Sequence, residues 1–207
     1  MEDKSSFNLV NSEPLLIVIS GPSGVGKDTV IQEMKNRKLP FHFVVTATTR
    51  LPREKEVHGI DYFFLTADEF AEMIEEDELI EYAIVYDDYK GIPKQQVRQA
   101  LSSGKDVVMR IDVQGAGTIR KLYPEALLIF LVTKDEKELE NRLKTRQSES
   151  SETLKLRIAT SRQELKKVEI FDYVVINREQ QLKKTVDTIE AIICAEHHRV
   201  HPRKVIL

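Results

Sequence analysis

Lys27 stands at the end of a glycine-rich turn that could hold a phosphate group. The stretch GPSGVGKD, residues 21–28, matches the pattern G-x-x-x-x-G-K-[ST] except at its last position, where Asp28 replaces the hydroxyl residue. An apolar run, Leu15–Ile19, precedes the turn, and a helical pattern follows it. In such a unit the backbone N–H groups and the helix dipole face an anion, and the lysine adds a mobile cation. The spacing therefore predicts a phosphate-binding loop.

Asp28 occupies the position at which a Ser or Thr hydroxyl usually binds Mg²⁺. A carboxylate is also a hard oxygen ligand, so we expect Asp28 to bind Mg²⁺ directly or through water. Without a cation its charge would repel phosphates, which predicts a strong dependence on Mg²⁺. Thr29 is the nearest hydroxyl, but it lies one helical position further round and is a poorer ligand.

A second group of anion-binding side chains follows in the stretch TATTRLPREKEVHGIDY, residues 46–62. Arg50 and Arg53 are three residues apart on a turn containing a proline, and two guanidinium forks at this spacing could hold one phosphate. Taken alone, such a segment is more often a solvated basic turn. Together with the first loop, it indicates a second phosphorylated substrate.

Five motifs occur in order along the chain: SGPSGVGK, TTRLPREKEVHGIDYFF, LIEYA, YKGIP and RIDVQGA. Two more follow them, RLKTR and FDYVVIN. In sequence and spacing these motifs resemble those of guanylate kinases, which transfer the terminal phosphoryl group of ATP to GMP. The resemblance extends from about residue 15 to 193, and VGKD, YKGIP and FDYVVIN are most similar to the plant organellar branch.

The resemblance implies which residues bind GMP. Glu81 falls where a carboxylate accepts the N1–H and 2-amino hydrogens of guanine, and adenine would leave that carboxylate without donors. Asp112 falls where a second acid contacts the guanine. The positions that match the family's phosphate-binding residues are Thr46, Arg50, Arg53 and Tyr62. The remaining positions of the implied GMP site are Lys90, Gly91, Ile92 and Gly115.

Besides Asp28, several positions depart from the family pattern, and three of them bear on the predicted GMP and metal sites. Ile92 replaces a Ser or Thr that donates to guanine O6, so we expect a backbone group or water to take that role. Lys90 replaces a phosphate-binding tyrosine, and we hypothesise that it attracts the phosphate as a point charge. Arg110 stands where most relatives have an acid thought to order the waters of Mg²⁺. Asp28 and Arg110 together therefore indicate a carboxylate that has been relocated.

On the ATP side, the resemblance implies lid arginines that clamp the phosphates: Arg142, Arg146 and Arg157. The implied ATP-binding set is Ser23, Gly24, Val25, Gly26, Lys27, Asp28, Thr29, Arg146 and Asn177. Phosphoryl transfer needs alignment and charge neutralisation more than acid–base groups. The residues expected to provide these, with Mg²⁺, are Lys27, Arg50, Arg142, Arg146 and Arg157.

The elements that must position these residues alternate between apolar strands and amphipathic helices. Buried parallel strands are expected at 15–19, 106–111, 126–132 and 173–176, with a further strand at 42–46. The pattern predicts an α/β fold with a P-loop NTPase-type parallel sheet flanked by helices, carrying an inserted GMP-binding lobe and a helical lid. We expect a flexible segment at 1–14, a core made of 15–45, 92–138 and 161–207, a GMP-binding lobe at 46–91 and a lid at 139–160.

Composition limits the partners of this 207-residue chain. A net charge of −3 gives no reason to expect nucleic-acid binding, and no apolar run is long enough for a bilayer. Cys194, the only cysteine, excludes an intramolecular disulfide and reads as a small apolar residue of the last helix. The histidines lack metal-ligand spacing, and a solvated tail is expected for His197, His198 and His201.

The expected partners are the small molecules GMP and ATP, with no nucleic acid and no membrane. The chain is expected to be a monomer or a homodimer. By resemblance alone, a mature chain would lie in the plastid, the mitochondrion or both, and in the cytoplasm if no transit peptide was removed. Organellar and bacterial relatives can be inhibited by guanosine tetraphosphate in the GMP pocket, which makes that nucleotide a candidate inhibitor.

Two other functions remain open. The chain could phosphorylate another small acceptor, since phosphate-loop folds serve many substrates; Glu81 and the run TTRLPR argue against this. It could also be a guanylate-kinase-like module that binds proteins. Such modules tend to lose the phosphate lysine and the lid arginines, whereas Lys27 and Arg142 are present here.

Overall fold

The computed structural model describes residues 13–85, 87–144 and 151–206. Its elements in chain order are β1 (Leu16–Ser20), α1 (Lys27–Asn36), β2 (His42–Phe43), β3 (Thr46–Thr48), β4 (Tyr62–Phe64), α2 (Ala67–Glu75), β5 (Leu79–Val85), β6 (Asp88–Pro93), α3 (Lys94–Ser102), β7 (Val107–Arg110), α4 (Val113–Leu122), β8 (Leu127–Val132), α5 (Glu136–Lys144), α6 (Ser151–Leu165), β9 (Tyr173–Ile176) and α7 (Leu182–His197), with a short 3₁₀ turn at Val168–Ile170.

Five parallel strands form the main sheet in the order β2-β7-β1-β8-β9. Strand β1 lies at its centre, and successive side chains of β1 enter opposite cores. Ile17 and Ile19 pack towards α1 and α7, whereas Leu16 and Val18 pack towards α3 and α4. Both faces of β1 are thus covered, which is why its sequence is continuously apolar instead of alternating. The predicted α/β fold with a parallel sheet flanked by helices is confirmed.

Two of the predicted strands differ in the structure. The run 42–46 does not form one strand: β2 pairs with β7 in the main sheet, and the chain then passes to a second sheet at β3. Strand β9 lies at the edge of the main sheet, so Val174 and Ile176 are 54% and 42% exposed. The expectation that 173–176 is buried was therefore wrong for these two side chains. Of the two valines in β9, only Val175 is buried.

A second sheet, in the order β4-β3-β6-β5, lies beside the first and carries most of the predicted GMP-binding residues. Helix α2 covers it, with Phe70 packed among Ala47 and Leu79. Thr66 and Glu69 start α2 with reciprocal side-chain to backbone hydrogen bonds, a capping box that fixes the helix start. Strand β6 was not predicted, and it continues to Pro93, past the expected end of the lobe at residue 91.

Helices α5 and α6 stand beside the phosphate loop. Helix α6 continues to Leu165, so the expected end of the lid at residue 160 falls inside it. The serine-rich segment 145–150 of the predicted lid lies outside the described residues. None of the helices in the described part of the chain is long and apolar enough to cross a bilayer.

The C-terminal segment is only partly the expected solvated tail, since His198 and His201 are exposed but His197 is half-buried. His197 ends α7, and its Nε2 lies 2.8 Å from Asp106 Oδ2, while Asp106 Oδ1 accepts the backbone N–H of Leu15. His198 lies against the Cys194 carbonyl oxygen, at 2.7 Å. Cys194 lies in the last helix, α7, as expected, and it is exposed there.

Beyond α7, Arg203 folds back into the protein and is only 8% exposed. Its guanidinium donates to Glu196 at 2.7 Å and lies 3.4 Å from Asp172. Burial alone would raise the pKa of Glu196, but hydrogen bonds from Arg203, Tyr173 and Arg199 lower it to about 2. The charges of this network therefore hold the end of the chain onto the main sheet.

Candidate functional site

A cavity of about 240 Å³ lies between the phosphate loop, the second sheet and α6. It stands at the carboxyl end of β1, the usual position of ligand sites in open parallel sheets. The predicted residues that line it are Ser23, Gly24, Gly26, Lys27, Asp28, Thr46, Arg50, Arg53, Tyr62, Glu81, Lys90, Asp112 and Arg157. Four lining residues were outside the predicted set: Asp88, Arg110, Ile111 and Glu164.

The phosphate loop leaves the start of α1 open to the cavity. Gly26, the N-cap residue, has a φ of 91° and makes no side-chain cap. A Cβ at Gly26 would lie 2.6 Å from the side-chain nitrogen of Asn177, so glycine is required both by the backbone and by the space. The first N–H groups of the helix are therefore available for an anion, because no side chain in the described part of the chain caps them.

Lys27 is turned into its own loop. Its Nζ donates to the carbonyl oxygens of Gly21 at 2.5 Å and Pro22 at 3.1 Å. Burial lowers the pKa of Lys27 to about 8, while the carboxylates of Glu164 and Asp28 act in the opposite direction. A buried ammonium held by two carbonyls is a cation whose attraction for a phosphate would be little screened by water.

Glu164 of α6 faces Lys27 and was missed by the sequence analysis. Its carboxylate accepts a hydrogen bond from the backbone N–H of Ser23. Burial raises the pKa of Glu164, and the nearby charge of Lys27 counteracts part of that rise. Glu164 follows Arg157 by seven residues, which places both on one face of a helix. That spacing is the signal that could have identified it.

Glu81 is the most buried acid of the cavity, with 5% exposure. Among the described residues its Oε2 has no hydrogen-bond partner. The carboxylate lies against the start of α4, where a Cβ on Gly115 would come within 2.6 Å of Oε2. Burial, reinforced by the charge of Asp112, raises the pKa of Glu81 to about 8. Asp112 itself caps α4 by accepting the N–H groups of Gln114 and Gly115.

Arg50 is held in place by a residue to which the sequence analysis gave no role. Its Nη2 donates to both carboxylate oxygens of Glu56, at 2.8 and 2.9 Å, and its guanidinium lies 5.2 Å from the ring centroid of Tyr62. Glu56 also accepts the backbone N–H of Arg53, whose side chain is 57% exposed. The buried hydroxyl of Thr46 has no hydrogen-bond partner in the described part of the chain.

Some predicted GMP-site residues lie away from the cavity wall. Ile92 is fully buried and packs in the core with Val97 and Met109. Gly91 pairs with Ala47 inside the second sheet. Gly115 supports Glu81 from behind, as described above. These positions shape the cavity, and their side chains do not line it.

Several predicted ATP-site residues surround the loop from its other side. Arg142 donates to the Val25 carbonyl oxygen at 3.0 Å and to the Asn177 carbonyl oxygen at 2.7 Å, and it pairs with Glu138. The Asn177 side chain donates to the same Val25 oxygen at 2.8 Å. With Thr29 these two residues line a separate, open cavity of about 290 Å³. Val25 packs in the core, and Arg146 lies outside the described residues.

Asp28 lies in the first turn of α1 and its Oδ1 accepts from Arg110 Nη1 at 2.5 Å. No group of three or more His, Cys, Asp or Glu residues suited to a metal occurs in the described ranges. Mg²⁺ is nonetheless commonly held by one carboxylate together with substrate phosphates and water. A hard carboxylate in the same cavity as Lys27 fits that kind of site, with most ligands coming from outside the protein.

Comparisons with known proteins agree on one family. The family model described as guanylate kinase matches residues 13–196. The "Guanylate kinase 2, chloroplastic/mitochondrial" of Oryza sativa subsp. japonica is 52% identical over 93% of this chain and 68% of its own length. The guanylate kinase of Bacillus subtilis (strain 168) is 44% identical over 91% of this chain and 94% of its own. A crystal structure of guanylate kinase from Anaplasma phagocytophilum superposes with a TM-score of 0.75 at 26% identity, covering 92% of this chain and 90% of that one.

Proposed function

The chain belongs to the guanylate kinase family and transfers a phosphoryl group from ATP to GMP, and we propose that GMP binds in the cavity of about 240 Å³ and meets the phosphates of ATP at the phosphate loop. The products of this transfer are ADP and GDP. The observation that carries the proposal is a pair of buried oxygens, one of Glu81 and one of Thr46, which have no hydrogen-bond partner among the described residues and lie on the cavity that the phosphate loop borders. Buried polar atoms without partners are rare in native proteins and commonly mark a missing ligand.

Glu81 is proposed to read guanine. Its carboxylate would accept the N1–H and the 2-amino hydrogens, and these would supply a partner for Oε2, which has none among the described residues. Adenine offers neither donor, so an adenine ring would leave the buried carboxylate unsatisfied. Thr46, Arg50, Arg53, Tyr62 and Lys90 are proposed to hold the phosphate of GMP. None of these contacts requires the ribose 2′-hydroxyl, so dGMP is proposed as a second acceptor.

The phosphate loop and Lys27 are proposed to hold the β- and γ-phosphates of ATP, with Arg142, Arg146 and Arg157 closing over them. Mg²⁺, when bound by Asp28 and the phosphates, would neutralise negative charge on the transferring group. An oxygen of the GMP phosphate attacks the γ-phosphorus as ADP leaves, and this oxygen is already ionised, so no general base is needed. We also propose that the GMP-binding lobe, expected at 46–91 and continued by β6 to Pro93, and the lid, expected at 139–160 and continued by α6 to Leu165, move relative to the remaining core.

A substrate panel tests this function. ADP release would be measured by a coupled assay with GMP, dGMP, AMP, CMP and UMP as acceptors, at several Mg²⁺ concentrations. We expect activity with GMP and dGMP and loss of at least about 10³-fold in kcat/KM with AMP. Comparable turnover of AMP or of the pyrimidine nucleotides would contradict the assignment of Glu81.

Two finer aspects follow from relatives. Guanosine tetraphosphate is proposed to compete with GMP, with Lys90 attracting one of its phosphates. Lys90→Tyr combined with Ile92→Ser should weaken the competition in an inhibition assay.

The name of the rice relative supports a plastid or mitochondrial location, whereas the Bacillus relative is similarly close. Microscopy of the natural full-length product, tagged at its C-terminus, would test the organelle.

A further inference from the structure

Arg110 joins three parts of the molecule around the cavity. It ends β7 in the main sheet, and its side chain is 16% exposed. Nη1 donates to the Asp28 carboxylate at 2.5 Å, beside the phosphate loop. The guanidinium lies 4.5 Å from the ring centroid of Tyr62 in the second sheet, and Nη2 is 3.4 Å from the Asp61 carbonyl oxygen.

We infer that Arg110 is a positioning residue, which fixes the acceptor-side ring of Tyr62 relative to the donor-side carboxylate of Asp28. This inference rests on the proposed placement of the GMP phosphate near Tyr62. Transfer requires the two phosphates to be held in line within a fraction of an ångström. A side chain anchored in the main sheet that contacts both substrate sides can set that distance directly.

Charge supports the same role. Asp28 would repel the phosphates of both substrates, and the ion pair with Arg110 offsets that repulsion at the place where the phosphates meet. A guanidinium can pair with a carboxylate through its edge while its face lies on an aromatic ring. A lysine at residue 110 could keep the charge pair but has no planar face for Tyr62. The structure therefore uses two properties of arginine together.

Arg110 also separates two cavities. On the far side of the Arg110 side chain lies a cleft of about 390 Å³, bordered by α1, by β2 and by the chain before β4. Four residues line both this cleft and the main cavity: Asp28, Arg53, Tyr62 and Arg110. Removing the Arg110 side chain would join the two spaces and admit water behind the phosphates. Water at that place can accept the γ-phosphoryl group in place of GMP.

The test compares Arg110→Ala with Arg110→Lys and with a matched control, Arg120→Ala. Arg120 also pairs with an aspartate, Asp172, at 2.7 Å and is 22% exposed, but it lies away from the cavity. We expect R110A to weaken GMP binding about tenfold, measured calorimetrically without ATP or Mg²⁺, and to raise ATP hydrolysis relative to transfer. R110K should restore part of the normal ratio of ATP hydrolysis to phosphoryl transfer but little of the affinity for GMP. R120A should lower only the melting temperature.

A double-mutant cycle with Asp28→Ser makes the result specific. If Arg110 acts through Asp28 and Tyr62, the effects of D28S and R110A on the hydrolysis-to-transfer ratio will not add. Arg50→Ala serves as the reporter of the proposed function itself. R110A behaving like R120A while R50A weakens GMP binding would overturn this inference alone. Unchanged GMP binding in R50A would overturn the proposed phosphate site, and this inference with it.

Discussion

The proposed acceptor and donor sites differ in how their polar groups are satisfied. On the acceptor side, Glu81 and Thr46 are buried with oxygens that lack hydrogen-bond partners among the described residues, while Glu56 holds Arg50 in place. On the donor side, Lys27 and Arg142 already donate to backbone carbonyl oxygens of the phosphate loop. The acceptor-side oxygens could thus bind a ligand without giving up a described contact, whereas the donor-side cations would exchange carbonyl partners for phosphate oxygens.

This difference indicates how the two nucleotides are recognised. Guanine would relieve an unfavourable burial that the empty protein already contains, so its binding is selective for matching donors. ATP phosphates would compete with carbonyl groups for the same cations, so their binding relies on charge. Base specificity is therefore expected on the acceptor side, and strong dependence on charge and metal on the donor side.

The largest effect is expected from Lys27→Met, which keeps the length of the side chain and removes its charge. Because Lys27 is proposed to hold the β- and γ-phosphates of ATP, kcat/KM for ATP should fall about 10³-fold in a coupled assay. Lys121→Met, at the exposed end of α4, is the matched control and should behave as the parent. A loss below tenfold in K27M would remove the lysine from the donor site.

Glu81→Gln tests the acceptor side. The amide can accept one guanine hydrogen but not two in the required geometry, so kcat/KM for GMP should fall about 100-fold while KM for ATP changes little. The empty protein should become more stable at pH 8, since a buried carboxylate has been removed. The exposed acid Glu78, changed to Gln, is the control for thermal unfolding and kinetics. If E81Q were less stable than the parent and had normal GMP kinetics, the role proposed for Glu81 in guanine binding would be contradicted.

The pH dependence of GMP binding tests the same residue without mutation. Glu81 has a pKa of about 8 in the empty site, so it is protonated at pH 7, and guanine binding requires the ionised form. GMP affinity should therefore rise with pH up to about tenfold per unit below pH 8. The free energy of unfolding of the ligand-free protein should instead fall as pH rises from 4.5 to about 8. Over this range the folded protein still holds the Glu81 proton, which the unfolded chain has already released. Calorimetry in two buffers should show proton release at pH 7, absent in E81Q.

Thr46→Val should give the smallest effect. Valine has nearly the same shape and removes a buried hydroxyl that has no hydrogen-bond partner among the described residues. We expect the unfolding free energy to rise by about 1 kcal/mol and KM for GMP to rise about fivefold. Chemical denaturation and steady-state kinetics measure the two quantities. If KM for GMP is unaffected, the hydroxyl makes no contact with the acceptor.

Much of the site could be predicted because its residues lie in short motifs with fixed spacing. Lys27, Arg50 and Glu81 were found in this way, and all three line one cavity. The contacts that organise them could not be read from spacing, since Arg110 and Asp28 are 82 residues apart. The hydrogen bonds that Arg142 and Asn177 donate to the Val25 carbonyl oxygen likewise depend on how α5 packs against the loop.

The fold was predictable where strands are covered on both faces. Strand β1 shows this, because burial on two sides leaves a continuous apolar run. Strand β6 was missed because its glycine and proline, in YKGIP, are typical of a turn, although they occur here in a strand of a small sheet. The exposure of β9 follows from its position at the sheet edge, which no local pattern specifies.

The contacts of Arg203 determine how far a fragment of this protein must extend in order to fold stably on its own. The family match ends at residue 196, which is the glutamate that Arg203 pairs with. A fragment trimmed to the matched range would retain this buried acid and lose its principal counterion. Homology boundaries would therefore give a weaker folding unit than the one the chain itself defines, which continues at least to residue 203.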